Sequence, residues 1–353
     1  MEPLRYIKPV TLICFFLTGV TGLVYELVWV RMLILTFGST QFAVTTVLTT
    51  FMAGLAIGSL LFGRMIDRYE HPLRVYGILE MVLGGYCIVT PLIFSAIQSI
   101  YLSLFSGGGV QYAAFNPTQF LLAFGGIILP SILMGGTLPV LTKYFTLKRE
   151  EIGFKVGLLY ALNTLGSVVG CLATGLFLLY LLGVTSTIYL AGVVDIVIGA
   201  LIITLSRRSM LSHKQAASTV QPEGAVPEID GGGEETAALI TPATRRIVIA
   251  VFAVSGFAAL AYEVLWSRIF SLIIGSSIYA FTIMLATFLF GIGVGSIVFA
   301  PFIDRRKKPL LWFAILELII GIAALLAVPL YKKLPFIFLS LHESLSQHFW
   351  LFL

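Results

Sequence analysis

Nine long apolar stretches follow one another along the 353 residues, and they constrain the fold more than any other feature of the sequence. Hydrocarbon offers the peptide backbone no hydrogen-bond partners, so a chain that crosses a membrane has to satisfy its own amides. A helix of about 20 residues does so across a hydrocarbon core about 30 Å thick. We therefore predict an all-α integral membrane protein with spans at 10–35, 42–62, 73–94, 120–144, 156–181, 187–205, 247–274, 280–299 and 310–330.

The composition argues against a soluble protein. Hydrophobic residues make up 58% of the chain and charged residues 11%, whereas about a quarter of an ordinary soluble domain is charged. The net charge of +5 does not indicate nucleic acid, because the basic residues fall in short clusters between apolar stretches. The three cysteines lie inside apolar stretches without metal-ligand spacing. We expect the lipid bilayer as partner and no disulfide, metal or other cofactor, and the oligomeric state stays open.

The basic clusters also predict an orientation. They follow the second, fourth, sixth and eighth stretches and are nearly absent after the first, third and fifth. Such clusters are retained on the cytoplasmic side of a membrane. We predict a multi-pass protein of the cell (inner) membrane with a cytoplasmic amino terminus. Lys332 and Lys333 follow the ninth stretch, so this orientation would place them on the non-cytoplasmic side of the membrane. The topology after the ninth helix therefore stays open.

A polar segment at 206–245 interrupts the apolar pattern and predicts a flexible cytoplasmic linker. Residues 1–205 are predicted to form an amino-terminal membrane half of about six helices, and 246–353 a partial second half of about three. Pro335, His342 and Glu343 interrupt the last apolar residues. This interruption predicts a loop followed by the start of a fourth helix in that half.

The two halves share an internal repeat. The segment GLVYELVWVRMLILTFGS begins at Gly22 and returns as ALAYEVLWSRIFSLIIGS beginning at Ala259, an offset of 237 residues. Residues that keep this offset are Tyr25 and Tyr262, Glu26 and Glu263, Trp29 and Trp266, Arg31 and Arg268, Gly58 and Gly295, Asp67 and Asp304, and Glu80 and Glu317. So many polar residues in register indicate two structurally related halves.

The loop after the second stretch carries a recognisable motif. It reads GRMIDR at 63–68, and its repeat reads APFIDR at 300–305. Both resemble the GxxxDR core of the cytoplasmic loop of major facilitator superfamily transporters, although Ala300 replaces the glycine in the second copy. Two related halves joined by a cytoplasmic linker are also the arrangement of that superfamily. The resemblance implies a major-facilitator-like helical bundle of two related halves, the second one truncated.

Further segments resemble a narrower family over nearly the whole chain. GLVYELVWVRML, GLAIGSLLFGRMIDR, GGTLPVLTKYF and GLLYALNTLGSVVGCLATG are similar to the membrane portion of fused major facilitator and spermidine synthase-like proteins. In that family a soluble aminopropyltransferase-like domain follows the membrane region, with a glycine-rich nucleotide loop and acidic residues that hold a polyamine. We expect no catalysis from these 353 residues, and an aminopropyltransferase only if a soluble domain follows Leu353.

Two carboxylates are the candidate functional residues. Glu26 and Glu263 lie inside the first helix of each half, where a charge costs about 2.5 to 3.5 kcal/mol on insertion scales. We predict that they bind a cationic substrate or protons, and that nearby aromatic residues line the same site: Tyr25, Tyr262, Trp29 and Trp266. A purely structural role for the carboxylates, with the aromatic rings as interface anchors, is the alternative.

The remaining charged residues are assigned to structural ion pairs. Arg31 and Arg268 lie five residues after the two glutamates, so pairing between helices is easier than pairing within one helix. The other members of this set are Asp67, Arg68, Asp304, Arg305, Glu80 and Glu317. Asp195, in the sixth stretch, is interpreted as structural as well.

The function that the sequence favours is a membrane module of a spermidine synthase-like fused protein. It would anchor that protein and form a conduit for polyamines or another small cation. One alternative is an independent secondary transporter, and a second is a structural subunit of a membrane complex. A stable co-purifying partner would favour the structural subunit.

Overall fold

The computed structural model of the protein describes residues 6–38, 40–105, 115–146, 152–217, 242–273, 275, 278–303 and 309–346. Every regular element in these residues is a helix. The helices are α1 Ile7–Phe37, α2 Thr40–Ile66, α3 Pro72–Phe105, α4 Phe115–Phe145, α5 Ile152–Ala173, α6 Gly183–Ala217, α7 Pro242–Ile273, α8 Ile278–Ile303 and α9 Pro309–Ser346. A π-helical turn, Thr174–Leu178, and a last turn, Leu179–Leu181, extend α5.

Nine helices in the described part of the chain are long and apolar enough to cross a membrane. This confirms the predicted all-α membrane fold, and the spans coincide with the nine apolar stretches. The helices are longer than those stretches, however. Once a helix has formed across the apolar part, each added polar residue gains a backbone hydrogen bond without a new nucleation cost.

The end of α6 and the start of α7 both extend into the predicted linker. Residues 206–217 continue α6, and residues 242–245 already belong to α7. The rest of the linker, 218–241, lies outside the described residues. The predicted division into 1–205, 206–245 and 246–353 stays a prediction.

The carboxyl-terminal stretch differs from the expected loop. Helix α9 runs from Pro309 to Ser346 and contains both Pro329 and Pro335. A proline removes one backbone hydrogen bond, but transmembrane helices tolerate it because neighbouring groups and small local adjustments satisfy the freed carbonyl. The described residues therefore continue one helix where we expected a loop and a new helix.

The internal repeat is preserved in the helix boundaries. Pro72 begins α3 and Pro309, at the same 237-residue offset, begins α9, a position where the missing N–H of proline costs nothing. Gly38 ends α1 with φ of 75°, and Gly275, again at this offset, has φ of 104°. Glycine adopts this left-handed backbone without a Cβ clash.

The chain divides into two compact units. The first contains α1 to α6 together with α8, and the second contains α7 and α9. In the first unit the most extensive helix pairs are α2 with α4, α3 with α6, α1 with α5, and α5 with α8. In the second unit α7 contacts α9.

Glycines set the spacing of the helix pairs in the first unit. A Cβ added at Gly58 of α2 would collide with the backbone of Ile132 in α4, and one at Gly166 of α5 with the backbone of Phe16 in α1. Small residues allow this close approach where lipid supplies no hydrophobic drive for association. The π-helical turn after α5 likewise places Gly175 against Thr282 of α8.

The loop after α2 is held by a single lysine. Lys143 Nζ of α4 donates to the carbonyl oxygens of Ile66, Asp67 and Tyr69 at 2.6, 3.1 and 2.8 Å. These carbonyls belong to the last residue of α2 and to the residues that follow it. The Ile66 carbonyl also accepts from the backbone N–H of Tyr69 at 3.0 Å, and carbonyls at a helix end have no further partner within the helix. A cation there also interacts favourably with the helix dipole.

Replacing Lys143 by Met is therefore expected to lower the free energy of unfolding by about 1.5 to 3 kcal/mol, the range for hydrogen bonds to charged groups. Chemical unfolding of the purified protein in detergent measures this change. Lys332→Met is the control, because Lys332 is exposed and surface substitutions usually stay within about 0.5 kcal/mol. Equal stability of the two variants would show that the Lys143 contacts contribute nothing.

Candidate functional site

One face of α1 carries three hydroxyl groups into the first unit. Thr18, Thr21 and Tyr25 follow helical spacing, so they project from the same side of the helix. They are almost fully buried, at 5%, 3% and 0% exposure. Buried hydroxyl groups need hydrogen-bond partners, and two carboxyl groups from other helices supply them.

Glu80 of α3 is the first of these carboxyl groups. Its Oε1 lies 3.0 Å from Thr18 Oγ1, and Thr18 Oγ1 also lies 2.7 Å from Tyr76 Oη. Glu80 and Tyr76 are completely buried. Within the described residues, Oε2 of Glu80 has no hydrogen-bond partner. This carboxyl group is thus only half satisfied.

Asp195 of α6 is the second carboxyl group, and it is fully satisfied. Thr21 Oγ1 donates to its Oδ1 and Tyr25 Oη donates to its Oδ2, both at 2.7 Å. Asp195 has no exposed surface. Because Thr18 and Thr21 lie one turn apart on α1, they hold Glu80 and Asp195 against adjacent turns of the same helix.

Glycines place the two carboxyl groups by bringing α3 and α6 together. A Cβ at Gly84 would meet the carbonyl oxygen of Gly192, and a Cβ at Gly77 would meet that of Gly199. Glu80 lies between Gly77 and Gly84, and Asp195 lies between Gly192 and Gly199. Both helices therefore carry one pattern, a glycine, an acid three residues on, and a second glycine four residues later. We call Thr18, Thr21, Tyr25, Tyr76, Glu80 and Asp195 the carboxyl cluster.

The chemistry of the carboxyl cluster suits a cation or a proton. All its polar side-chain atoms are oxygens, and the hydrogen bonds made by the two carboxyl groups in the described residues are with hydroxyl groups. Ionisable residues inside membrane segments usually face a partner or a pathway. No group of three or more His, Cys, Asp or Glu in the described part could hold a metal ion.

The glutamates predicted from the repeat occupy other positions. Glu26 is buried in α1, where it interacts electrostatically with Cys171 of α5. Glu263 is buried in α7 of the second unit. Glu26 directly follows Tyr25 in α1, so it projects about 100° around the helix from this member of the carboxyl cluster. The roles predicted for both glutamates stay predictions.

The aromatic residues of the repeat adopt the same arrangement in each unit. Tyr25 stacks on Trp29 with ring centroids 5.9 Å apart, and Tyr262 stacks on Trp266 at 5.7 Å. Of these four, Tyr25 belongs to the carboxyl cluster. Trp29 also meets Phe51 edge-on. A role for these rings in lining a substrate site remains a prediction.

The repeat extends to a carboxyl–hydroxyl contact. Ser255 of α7 donates to Glu317 Oε1 at 2.6 Å, and this pair corresponds to Thr18 and Glu80 at the 237-residue offset. The second copy is simpler, because Phe313 stands where Tyr76 would be and Ala258 where Thr21 would be. The described contacts of Glu80 and Glu317 are thus with hydroxyl groups, and their ion-pair role stays a prediction.

The other residues assigned to ion pairs lie at the surface or outside the described residues. Arg31, Arg268, Asp67 and Arg68 are exposed, so any ion pair that they form contributes little. Asp304 and Arg305 lie outside the described residues.

Reasoning from the sequence missed the carboxyl cluster. Sequence patterns favour a structural role for Asp195 and do not single out Thr18, Thr21 or Tyr76. The internal repeat favours residues with a counterpart at the 237-residue offset, and the position that would correspond to Asp195 is not among these 353 residues. The sequence feature that indicates the carboxyl cluster is the shared spacing of glycine, acid and glycine in the third and sixth stretches. Small residues on both sides of an acid indicate a close helix contact.

Comparison with known proteins agrees with this architecture. Polyamine aminopropyltransferase 2 of Streptomyces coelicolor is 30% identical over 200 residues, which cover 55% of this chain and 34% of that protein. The chain thus spans about a third of that relative's length. This similarity is consistent with the membrane part of a fused major facilitator and spermidine synthase-like protein. No solved structure matches.

The family model of the Major Facilitator Superfamily matches residues 11–342. The match includes all nine candidate spans, apart from the first few residues of α1. It confirms the resemblance to this superfamily and identifies a multi-pass membrane module of transporter type. The protein belongs to the Major Facilitator Superfamily.

Proposed function

We propose that this chain is the membrane module of a spermidine synthase-like fused protein, and that it anchors that protein and conducts polyamines or another small cation. The similarity to a protein named polyamine aminopropyltransferase 2 supports the substrate class. Family membership supports movement of a solute across the membrane. The proposed location is the cell (inner) membrane with a cytoplasmic amino terminus and linker, which rests on the positions of the basic clusters.

The observation that carries this proposal is the carboxyl cluster. Two completely buried carboxyl groups lie beside hydroxyl groups of one helix. A polyamine combines ammonium groups, which donate several hydrogen bonds each, with short apolar segments. An ammonium group would supply both the positive charge and the donor that Oε2 of Glu80 lacks.

The test is uptake of radiolabelled spermidine into proteoliposomes that contain the 353-residue chain. We expect saturable uptake that empty liposomes do not show. Absence of any uptake, with protein correctly inserted, would contradict the proposed function.

The same assay tests the two glutamates of the repeat. If Glu26 and Glu263 bind the substrate or protons, the double variant Glu26→Gln with Glu263→Gln should take up spermidine roughly 30-fold more slowly or worse, since loss of one charged partner costs about 2 kcal/mol or more. The control is Glu70→Gln, because Glu70 is an exposed loop residue. Unchanged uptake by the double variant would mean that neither carboxylate is needed.

An independent secondary transporter is the second candidate, favoured by the family match over residues 11–342. The two candidates differ in the size of the native polypeptide. An intact mass well above that of these 353 residues, measured in the source membrane, would support the fused protein. A mass equal to that of these residues would support the independent transporter.

A further inference from the structure

We propose that Glu80 is the proton-binding group of this module: it holds a proton in the structure described, and it releases that proton when an ammonium group reaches Glu80 and Asp195. The second half of this statement rests on the proposed function, whereas the first half does not. Proton release breaks the carboxyl O–H bond, leaves the electron pair on the oxygen and passes the proton to water that enters with the cation.

The hydrogen bonds of the Thr18 hydroxyl group are the first argument that Glu80 is protonated. Its hydroxyl oxygen lies 3.1 Å from the carbonyl oxygen of Cys14, 2.7 Å from Tyr76 Oη and 3.0 Å from Glu80 Oε1. A threonine hydroxyl donates one hydrogen bond and accepts two. If Glu80 is protonated on Oε1, Glu80 and Tyr76 donate to Thr18, and Thr18 donates to the Cys14 carbonyl. All three contacts are then hydrogen bonds.

An ionised Glu80 fits the same geometry less well. The single Thr18 proton would be shared between two acceptors, the Cys14 carbonyl and Glu80 Oε1. The Tyr76 proton would likewise be shared between Thr18 and Glu80, with which Tyr76 also interacts. Oε2 would in addition be a buried carboxylate oxygen without a donor among the described residues. Buried acceptors without donors are costly. The protonated form gives each contact of Thr18 its own proton, and it leaves Oε2 as an oxygen of a neutral group rather than of a charged one.

The hydrogen bonds of Asp195 differ from those of Glu80, and the difference indicates which of the two carboxyl groups is charged. Each of its oxygens accepts one hydroxyl proton at 2.7 Å, from Thr21 and from Tyr25. This is how a carboxylate is satisfied, since an ionised carboxyl group only accepts. Of the two carboxyl groups, Asp195 therefore carries the charge and Glu80 the proton.

The titratable groups around Glu80 favour this assignment. Asp195 of α6, Cys14 and Tyr25 of α1, and Tyr76 of its own helix interact with it electrostatically. Cys87 of α3 adjoins the same group through Asp195 and Tyr25. All of these are acids or neutral groups, so a second negative charge at Glu80 would face the charge of Asp195, and like charges that share a site do not both ionise readily.

An arriving ammonium group changes that balance. It brings a positive charge next to Asp195 and can donate hydrogen bonds to both oxygens of Glu80. An ionised Glu80 is then stabilised by the ammonium group, so the proton on Oε1 can leave. The exchange is one proton for one positive charge, and the net charge of the carboxyl cluster stays constant. The ammonium group offsets the second negative charge that proton release creates, which lowers the repulsion between the two carboxylates.

Infrared spectroscopy tests the proton without any substrate. We expect the purified protein at neutral pH to show the C=O absorption of a protonated carboxyl group, and Glu80→Gln to lose one component of it. Glu70→Gln should leave the spectrum unchanged, since Glu70 is exposed. Absence of the absorption from the wild-type protein, or a Glu80→Gln spectrum identical to it, would overturn the proposal.

A second variant keeps the test decisive if Glu80→Gln does not fold. Thr18→Val removes the hydroxyl that accepts the Glu80 proton, so the same absorption component should shift as this hydrogen bond is lost. An unshifted component in Thr18→Val would overturn the assignment.

Proton release tests the exchange step. Spermidine is added to the purified protein in weak buffer with a pH-sensitive dye. We expect proton release from the wild-type protein and loss of that release in Glu80→Gln. Spermidine binding without proton release would overturn the exchange. If spermidine does not bind at all, the proposed function fails, while the infrared result still decides whether Glu80 holds a proton.

Discussion

Replacing Asp195 by Asn is expected to slow spermidine uptake roughly 30-fold or more, because loss of one partner of a buried charge pair typically costs about 2 to 5 kcal/mol. Asn keeps the size of the side chain and can still accept from Thr21 or Tyr25, the two donors that hold Asp195. The variant therefore removes the charge with little change in packing. Initial uptake rates in proteoliposomes measure the effect.

Two comparisons make this result specific to the carboxyl cluster. Glu70→Gln removes an acid from an exposed loop and should leave uptake unchanged. The free energy of unfolding of Asp195→Asn should also stay close to that of the wild-type protein. Normal uptake by Asp195→Asn would show that the cluster does not bind the cation, whereas a large loss of stability would attribute slow uptake to misfolding.

Replacing Gly84 by Ala is expected to destabilise the protein, because the added methyl group would have no space between α3 and α6. Its Cβ would lie 2.5 Å from the carbonyl oxygen of Gly192 and 3.0 Å from the backbone nitrogen of Ile196. Overpacking of this kind costs about 1 to 3 kcal/mol. Unfolding in detergent measures the loss, and uptake should fall as well, because the helices that carry Glu80 and Asp195 would have to separate.

The neighbouring glycine provides a matched control. A Cβ at Gly85 would have nothing within 4 Å, and alanine is the better helix former by about 0.5 to 1 kcal/mol. Gly85→Ala should therefore be neutral or slightly stabilising. If Gly84→Ala and Gly85→Ala were equally stable, the close approach of α3 and α6 would not be required by the fold.

The fold was largely predictable from the sequence because the bilayer imposes it. Apolar length alone identifies the spans, and prolines and glycines mark several ends, as at Pro72 and Gly38. The length of each helix beyond the apolar stretch was less predictable. The extension of α6 to Ala217 and the passage of α9 through Pro335 depend on backbone hydrogen bonding that apolar periodicity does not report.

The candidate site was predictable only in part. The repeat identified Tyr25, which does reach Asp195, but it directed attention to Glu26, on another side of α1. Contacts between α1, α3 and α6 decide which hydroxyl groups each acid meets, and these contacts depend on helix rotation. One sequence carries little information on rotation, except where small residues flank an acid, as they do around Glu80 and Asp195.

The most direct test of the central claim is equilibrium binding of radiolabelled spermidine to the purified 353-residue protein, compared with Asp195→Asn. If the carboxyl cluster is the cation site, the wild-type protein should bind spermidine saturably and Asp195→Asn should bind it roughly 30-fold more weakly or worse, in line with the cost of losing a buried charge partner. Equal binding by the two proteins, or no saturable binding by the wild-type protein, would contradict the account.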